Sequence, residues 1–181
     1  MIVATGTRNV RDLLDDIDIR GRTWPPGLEP PPQQRRLVHR GISGRTLRMC
    51  RDVENVLLKD DELQPLLLAG WSLGGGSVLC LASHLIQCDI PIHSVYTFGA
   101  PCIANDAFVS WYDEEAHLKE RTWRYVTPRD PIPRLKHPLY KHVGQDRILI
   151  PCTSQNPIVH HDLRSYYVGL LSDEQIDRKL F

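Results

Sequence analysis

The sequence predicts an α/β fold: a mostly parallel sheet with helices on both faces. Three observations carry this reading. Short apolar, β-branched or aromatic runs alternate with stretches of helical apolar spacing, the pattern of parallel strands joined by crossover helices. One junction, residues 66–76, reads as apolar strand, sharp glycine-rich turn and buried helix. No internal repeat and no domain break interrupts the 181 residues, of which 41% are apolar. One domain spanning 1–181, with a real core, is therefore expected.

Taken in order, Ile2-Val3-Ala4 reads as a short buried strand, closed by Gly6-Thr7. Val10, Leu13, Leu14 and Ile17 then fall on one stripe of a helix over 8–18, with Arg11, Asp12, Asp15, Asp16 and Asp18 filling the other positions. Residues 24–32 contain five prolines in nine positions, which excludes helix and central strand and predicts an extended or mobile loop. Trp24 either contacts solvent-side partners there or pins the loop to the core. A helix is expected over about 43–59, from Leu47, Cys50, Val53 and Leu57. The Leu66–Ala69 strand and the helix from Ser77 onward flank the turn. Ile92 to Phe98 is the next strand, ended by Gly99-Ala100-Pro101. A helix over about 105–117 and a strand over 122–127 follow. Val143 and Ile148-Leu149-Ile150 suggest a hairpin turning at Gly144-Gln145-Asp146, and a terminal helix is expected over 161–171.

Bulk properties exclude several classes. Twenty-two basic residues balance 22 acidic ones, so no nucleic-acid footprint is present. No apolar run approaches transmembrane length. The five cysteines, Cys50, Cys80, Cys88, Cys102 and Cys152, include no C-x-x-C pair, so neither a metal nor a cofactor is expected. Scattered reduced thiols and the lack of a signal-peptide pattern give a cytoplasmic product as the expectation.

The chemistry starts at Gly70-Trp71-Ser72-Leu73-Gly74, a G-x-S-x-G match in strand–turn–helix context. That context makes Ser72 the nucleophile of an elbow, held on strained backbone clear of the sheet. A phosphate loop is a poor rival, because no Lys-Ser/Thr follows the glycines. A serine hydroxyl needs a base, usually a histidine oriented by a carboxylate, in the order Ser, acid, His. Asp130 follows a sheet strand between prolines and is the preferred acid, with Asp146 in reserve. For the base, His161 lies after the last strand, and its neighbour His160 competes with it. His137 and His142 also approach. The oxyanion donors are expected to be the N–H of Leu73, at a helix N-terminus, and that of Thr7, at an earlier strand end.

Six segments then add a resemblance. Gly6-Thr7 with its following helix, Val38-His39-Arg40-Gly41, Gly70-Trp71-Ser72-Leu73-Gly74-Gly75, Thr97-Phe98-Gly99-Ala100-Pro101, Asp130-Pro131-Ile132-Pro133-Arg134-Leu135 and His161-Asp162-Leu163-Arg164-Ser165-Tyr166 resemble, in order, the motifs of the class 3, fungal-lipase-like branch of the α/β-hydrolases. The resemblance implies a triad of Ser72, Asp130 and His161, and oxyanion donors Thr7 and Leu73. It implies a lid in the region of about 8–36, presenting Val10, Leu13, Leu14 and Ile17 to acyl chains when closed and to a lipid surface when open. It implies hydrolysis of lipid esters, of acylglycerols or, by the same mechanism, phospholipids. An inactive interaction module is the alternative of a different class. Three departures stand out, one being that the segment between the lid and Val38 is rich in proline and arginine, so an atypical lid is expected. Trp71 occupies a position where the family usually has His, for which altered packing rather than lost activity is expected. The sheet is shortened on its N-terminal side, so an exposed edge is expected there.

Overall fold

The structure is a computed structural model that describes residues 1–6, 20–27, 31–57, 63–135, 137–149 and 156–172. Five strands form one parallel sheet in the order β1 (Ile2–Ala4), β4 (Leu66–Trp71), β5 (Ile92–Phe98), β6 (Thr122–Val126), β7 (Gln145–Ile148). Two further strands, β2 (Gly21–Thr23) and β3 (Leu37–His39), pair antiparallel beside it. The helices are α1 (Arg40–Leu57), α2 (Leu73–Gln87), α3 (Asp106–Ser110), α4 (Pro157–His161) and α5 (Leu163–Ser172). A wide π turn, Trp111–Glu115, prolongs α3.

Strand alternation sorts the sheet into two faces. Leu68, Val95, Thr97 and Thr122 are fully buried. They form the side on which α2 lies, since Thr97 nearly touches Gly75 of that helix. Tyr112, just beyond α3, bonds Thr122 there, Oη to Oγ1 at 2.9 Å. The core packed on this side contains Val78, Leu79, Leu81 and Leu85 of α2, Ile42 and Cys50 of α1, and Phe108 of α3. Burying each large apolar side chain contributes about 1.5–3 kcal/mol. Ile42, Thr46 and Cys50 are the buried stripe of α1, which accounts for its packing on α2.

The opposite face carries aromatic rings. Tyr96 faces Trp123 and Phe98 faces Tyr125 in register, and both pairs stack with centroids 5.2 Å apart. Tyr166 of α5 sets its ring edge-on to Phe98 at 6.2 Å. Helices therefore cover both faces, with α5 at one end of the aromatic row. Strand β1 lies at the sheet edge, with β4 as its only strand neighbour among the described residues, and Val3 is 60% exposed.

Several expectations are corrected, and the alternative left open for Trp24 is decided. Residues 145–148 are a strand parallel to β6, not one arm of a hairpin, and Asp146, exposed on that strand rather than in a turn, is ion-paired with Arg124. Helix α1 begins at Arg40, whose N–H donates to Arg20 O at 2.9 Å. The terminal helix is two helices broken at Asp162, whose backbone is extended (ψ 137°). His161 ends the first of them. Trp24 is 1% exposed and its indole N–H donates to Ser83 Oγ at 2.8 Å, so the start of the proline-rich segment is pinned to the core. The expected lid residues Val10, Leu13, Leu14 and Ile17 lie outside the described residues, as does Thr7.

Candidate active site

Ser72 follows β4 directly and precedes α2, with φ 57° and ψ −127°. That is the left-handed half of conformational space, which a serine enters only when its surroundings impose it. The imposition is visible on both sides of the turn. Ser72 N–H donates to Phe98 O at 2.9 Å, tying the apex to β5. A Cβ on Gly74 would meet Ala4 O at 2.2 Å, so helix α2 starts in contact with the backbone of β1. Gly6, just past β1, is equally close to the apex: a Cβ there would come 2.6 Å from that of Ser72.

The three residues named as triad meet. Ser72 Oγ and His161 Nε2 are 2.8 Å apart, and His161 Nδ1 and Asp130 Oδ2 are 2.8 Å apart. All three are buried, at 0%, 1% and 0% exposure for Ser72, His161 and Asp130. An ionised carboxylate only accepts, so Nδ1–H donates to Asp130 and the bare Nε2 faces the serine hydroxyl. Asp130 follows β6 in a loop that turns back through its own side chain, with Oδ1 accepting from the N–H of Ile132 at 2.8 Å. Asp146 lies elsewhere, on β7 with Arg124. His160 is buried, but it offers its carbonyl to Thr127 Oγ1 at 3.2 Å. His142 Nε2–H donates to Pro133 O at 2.8 Å, and His137 stacks on Tyr140. Leu73 is the first residue of α2, and its N–H is among the first-turn donors that no carbonyl of the helix can accept.

Two contacts were not foreseen from the sequence. Tyr166 Oη donates to Asp130 Oδ2 at 2.5 Å. Burial, then the charge and hydrogen bond of Asp130, push this phenol above its ordinary range, so it stays a donor. The tyrosine of the H-x-x-x-x-Y segment was the available signal. Trp71 is the other. Its indole N–H donates to the carbonyl of His161 at 3.0 Å, and its ring lies 5.3 Å from the imidazole at 31°. No spacing rule announces that bond. Beside Tyr166, a cleft of about 410 Å³ is lined by Phe98, Leu163, Arg164, Tyr166, Tyr167 and Leu170.

Sheet, elbow and crossover helices place the chain among the α/β-hydrolases. A family model described as lipase (class 3) matches residues 1–139, and the chain belongs to that family. Ser72 and Asp130 fall inside the matched stretch, and His161 lies beyond it. Among solved structures, the triacylglyceride lipase of Rhizomucor miehei is similar with TM-score 0.66 and 22% identity, over 80% of this chain and 54% of that one. Lipase II from Rhizopus niveus gives 0.65 and 24%, over 83% and 59%. A triacylglycerol lipase from Penicillium expansum gives 0.62 and 21%, over 82% and 61%. At these identities the likeness is one of fold, and the chain spans only 54–61% of the length of these three lipases. Comparison with curated proteins gives no match.

Proposed function

We propose that the protein is a serine carboxyl-ester hydrolase acting on lipid esters of the acylglycerol type. One observation carries the proposal: Ser72, His161 and Asp130, far apart in sequence, form a continuous buried relay with 2.8 Å at each link. In this reading Ser72 Oγ attacks the ester carbonyl while His161 Nε2 takes its proton. Negative charge gathers on the carbonyl oxygen, opposite the N–H of Leu73 and, by the family resemblance, that of Thr7. The alcohol leaves with the proton from His161, and water, activated by the same imidazole, releases the acid from Ser72. Asp130 keeps Nδ1 protonated and favours the imidazolium that forms.

Family membership and the apolar cleft beside Tyr166 support a lipid substrate. Each acyl methylene removed from water contributes about 0.8 kcal/mol. Contact with a lipid surface belongs to the same proposal, through Val10, Leu13, Leu14 and Ile17. Among the described residues no helix is long and apolar enough to cross a membrane.

The test is covalent. A fluorophosphonate should label Ser72 in folded protein and fail on heat-denatured protein. p-Nitrophenyl esters of increasing chain length should be cleaved, and Ser72→Ala should lower turnover by a factor on the order of 10⁶, as in serine proteases. Well-folded protein that resists labelling and leaves every ester intact would mean a binding module instead.

A further inference from the structure

At the far end of α2 from the elbow, three metal-ligating side chains converge. His84 and Cys88 are four residues apart, in the last turn and at the C-cap of the helix, and so share one face. Glu54 reaches them from α1. His84 Nε2 is 2.6 Å from Glu54 Oε1 and 3.8 Å from Cys88 Sγ. The three donor atoms all lie within 4.8 Å of one another. We infer that Glu54, His84 and Cys88 form a binding site for a divalent cation of the zinc type.

The geometry and the donor chemistry agree. A tetrahedral zinc ion sits ~2.3 Å from sulfur, ~2.0 Å from imidazole nitrogen and ~2.0–2.2 Å from carboxylate oxygen, which puts ligands roughly 3.3–3.6 Å from each other. The sulfur–nitrogen separation is already near that, and the oxygen has to back away by less than 1 Å, roughly. The same ring nitrogen faces both partners, so an ion can take the place of the proton it now shares with Glu54. Binding moves that proton to Nδ1 and releases one proton from the Cys88 thiol, leaving a thiolate, a neutral imidazole and a carboxylate on the metal. Thiolate and imidazole favour zinc over magnesium or calcium. Cys88 is exposed and the Glu54 side chain is 37% exposed, so solvent water completes the coordination. Asp89, next in sequence, adds a further negative charge. His84 lies about 18 Å along the helix from Ser72, so the site is separate from the ester chemistry. Its ion would join the C-terminal part of α1 to the end of α2.

The experiment uses the full chain, kept reduced with a phosphine. Calorimetric titration with Zn²⁺ should show one ion bound per chain. Co²⁺ should give a tetrahedral visible spectrum with a thiolate-to-metal charge-transfer band. Cys88→Ser, an exposed and conservative change, should erase the band and weaken Zn²⁺ binding roughly 100-fold. His84→Ala should do the same, and Glu54→Gln should weaken binding while the band stays. Ser72→Ala should bind both metals like the parent, so this test stands whether or not the protein hydrolyses esters. Absence of saturable binding, a cobalt spectrum without the thiolate band, or affinity indifferent to His84→Ala would overturn the inference.

Discussion

His161 is held at three points: its ring by Asp130, its face by the Trp71 indole, and its carbonyl by the Trp71 N–H. In the proposed mechanism His161 accepts a proton and returns it within one turnover, and such a base gains from not having to be repositioned. Trp71→Phe keeps the ring and removes the donor. A lost neutral hydrogen bond is worth about 1 kcal/mol, so kcat should fall roughly fivefold with KM for short esters unchanged. Trp71→Ala, which also removes the ring beside the imidazole, should fall further. Tyr166→Phe takes one donor from a charged acceptor, worth ~1.5–3 kcal/mol. It should cost more than Trp71→Phe. Steady-state kinetics on a soluble p-nitrophenyl ester checks both. At this scale the sequence was most readable where chemistry demands a residue type: serine, carboxylate and imidazole were found by motif and order. Trp71 was not, because its partner is the backbone of a residue from the far end of the chain, and backbone acceptors have no sequence signature.

The elbow is an element-scale device, since α2 can begin only where β1 and β4 leave room. Gly74→Ala would force a methyl group to within 2.2 Å of Ala4 O, against backbone that cannot rotate away. The variant should lose stability at the top of the overpacking range, about 3 kcal/mol, measured by urea denaturation. Gly27→Ala should do far less, since nothing lies within 4 Å of that position, though its φ of +89° carries its own backbone penalty. The elements read correctly from sequence, β1, β4, α2, β5 and β6, are those whose apolar spacing is local. Strand β7 was misread because Gly144, with φ +76°, imitates a hairpin turn. Pairing direction is decided by β6, more than fifteen residues away in sequence. The break at Asp162 was legible in principle: its carboxylate accepts from the N–H of Arg164 at 2.8 Å, a common reason for Asp to open a helix.

Across the whole molecule, acid sensitivity has an identifiable contributor. His142 is held down to about 4, by burial first and then by the Arg124 guanidinium. An imidazole free in the unfolded chain titrates near 6.5. Between these values the unfolded state binds the extra proton, so stability rises with pH across that window. Falling pH should therefore erode stability from about 6.5 down to about 4. His142→Gln should flatten that part of the profile, read as urea midpoints against pH. The fold class was visible from the sequence because alternation of strand and helix is a property of the entire chain. The aromatic row on the second face was not, since Tyr96, Phe98, Trp123 and Tyr125 acquire their common surface only when two distant strands align. The relay at the C-terminal ends of the strands has a kinetic corollary. A hydroxyl with no surface of its own is out of reach of any reagent until neighbouring atoms move aside. Inactivation by a phosphonate should then not climb indefinitely with dose: its rate should level off at a ceiling set by the frequency of uncovering, and reagents of very different reactivity should share that ceiling.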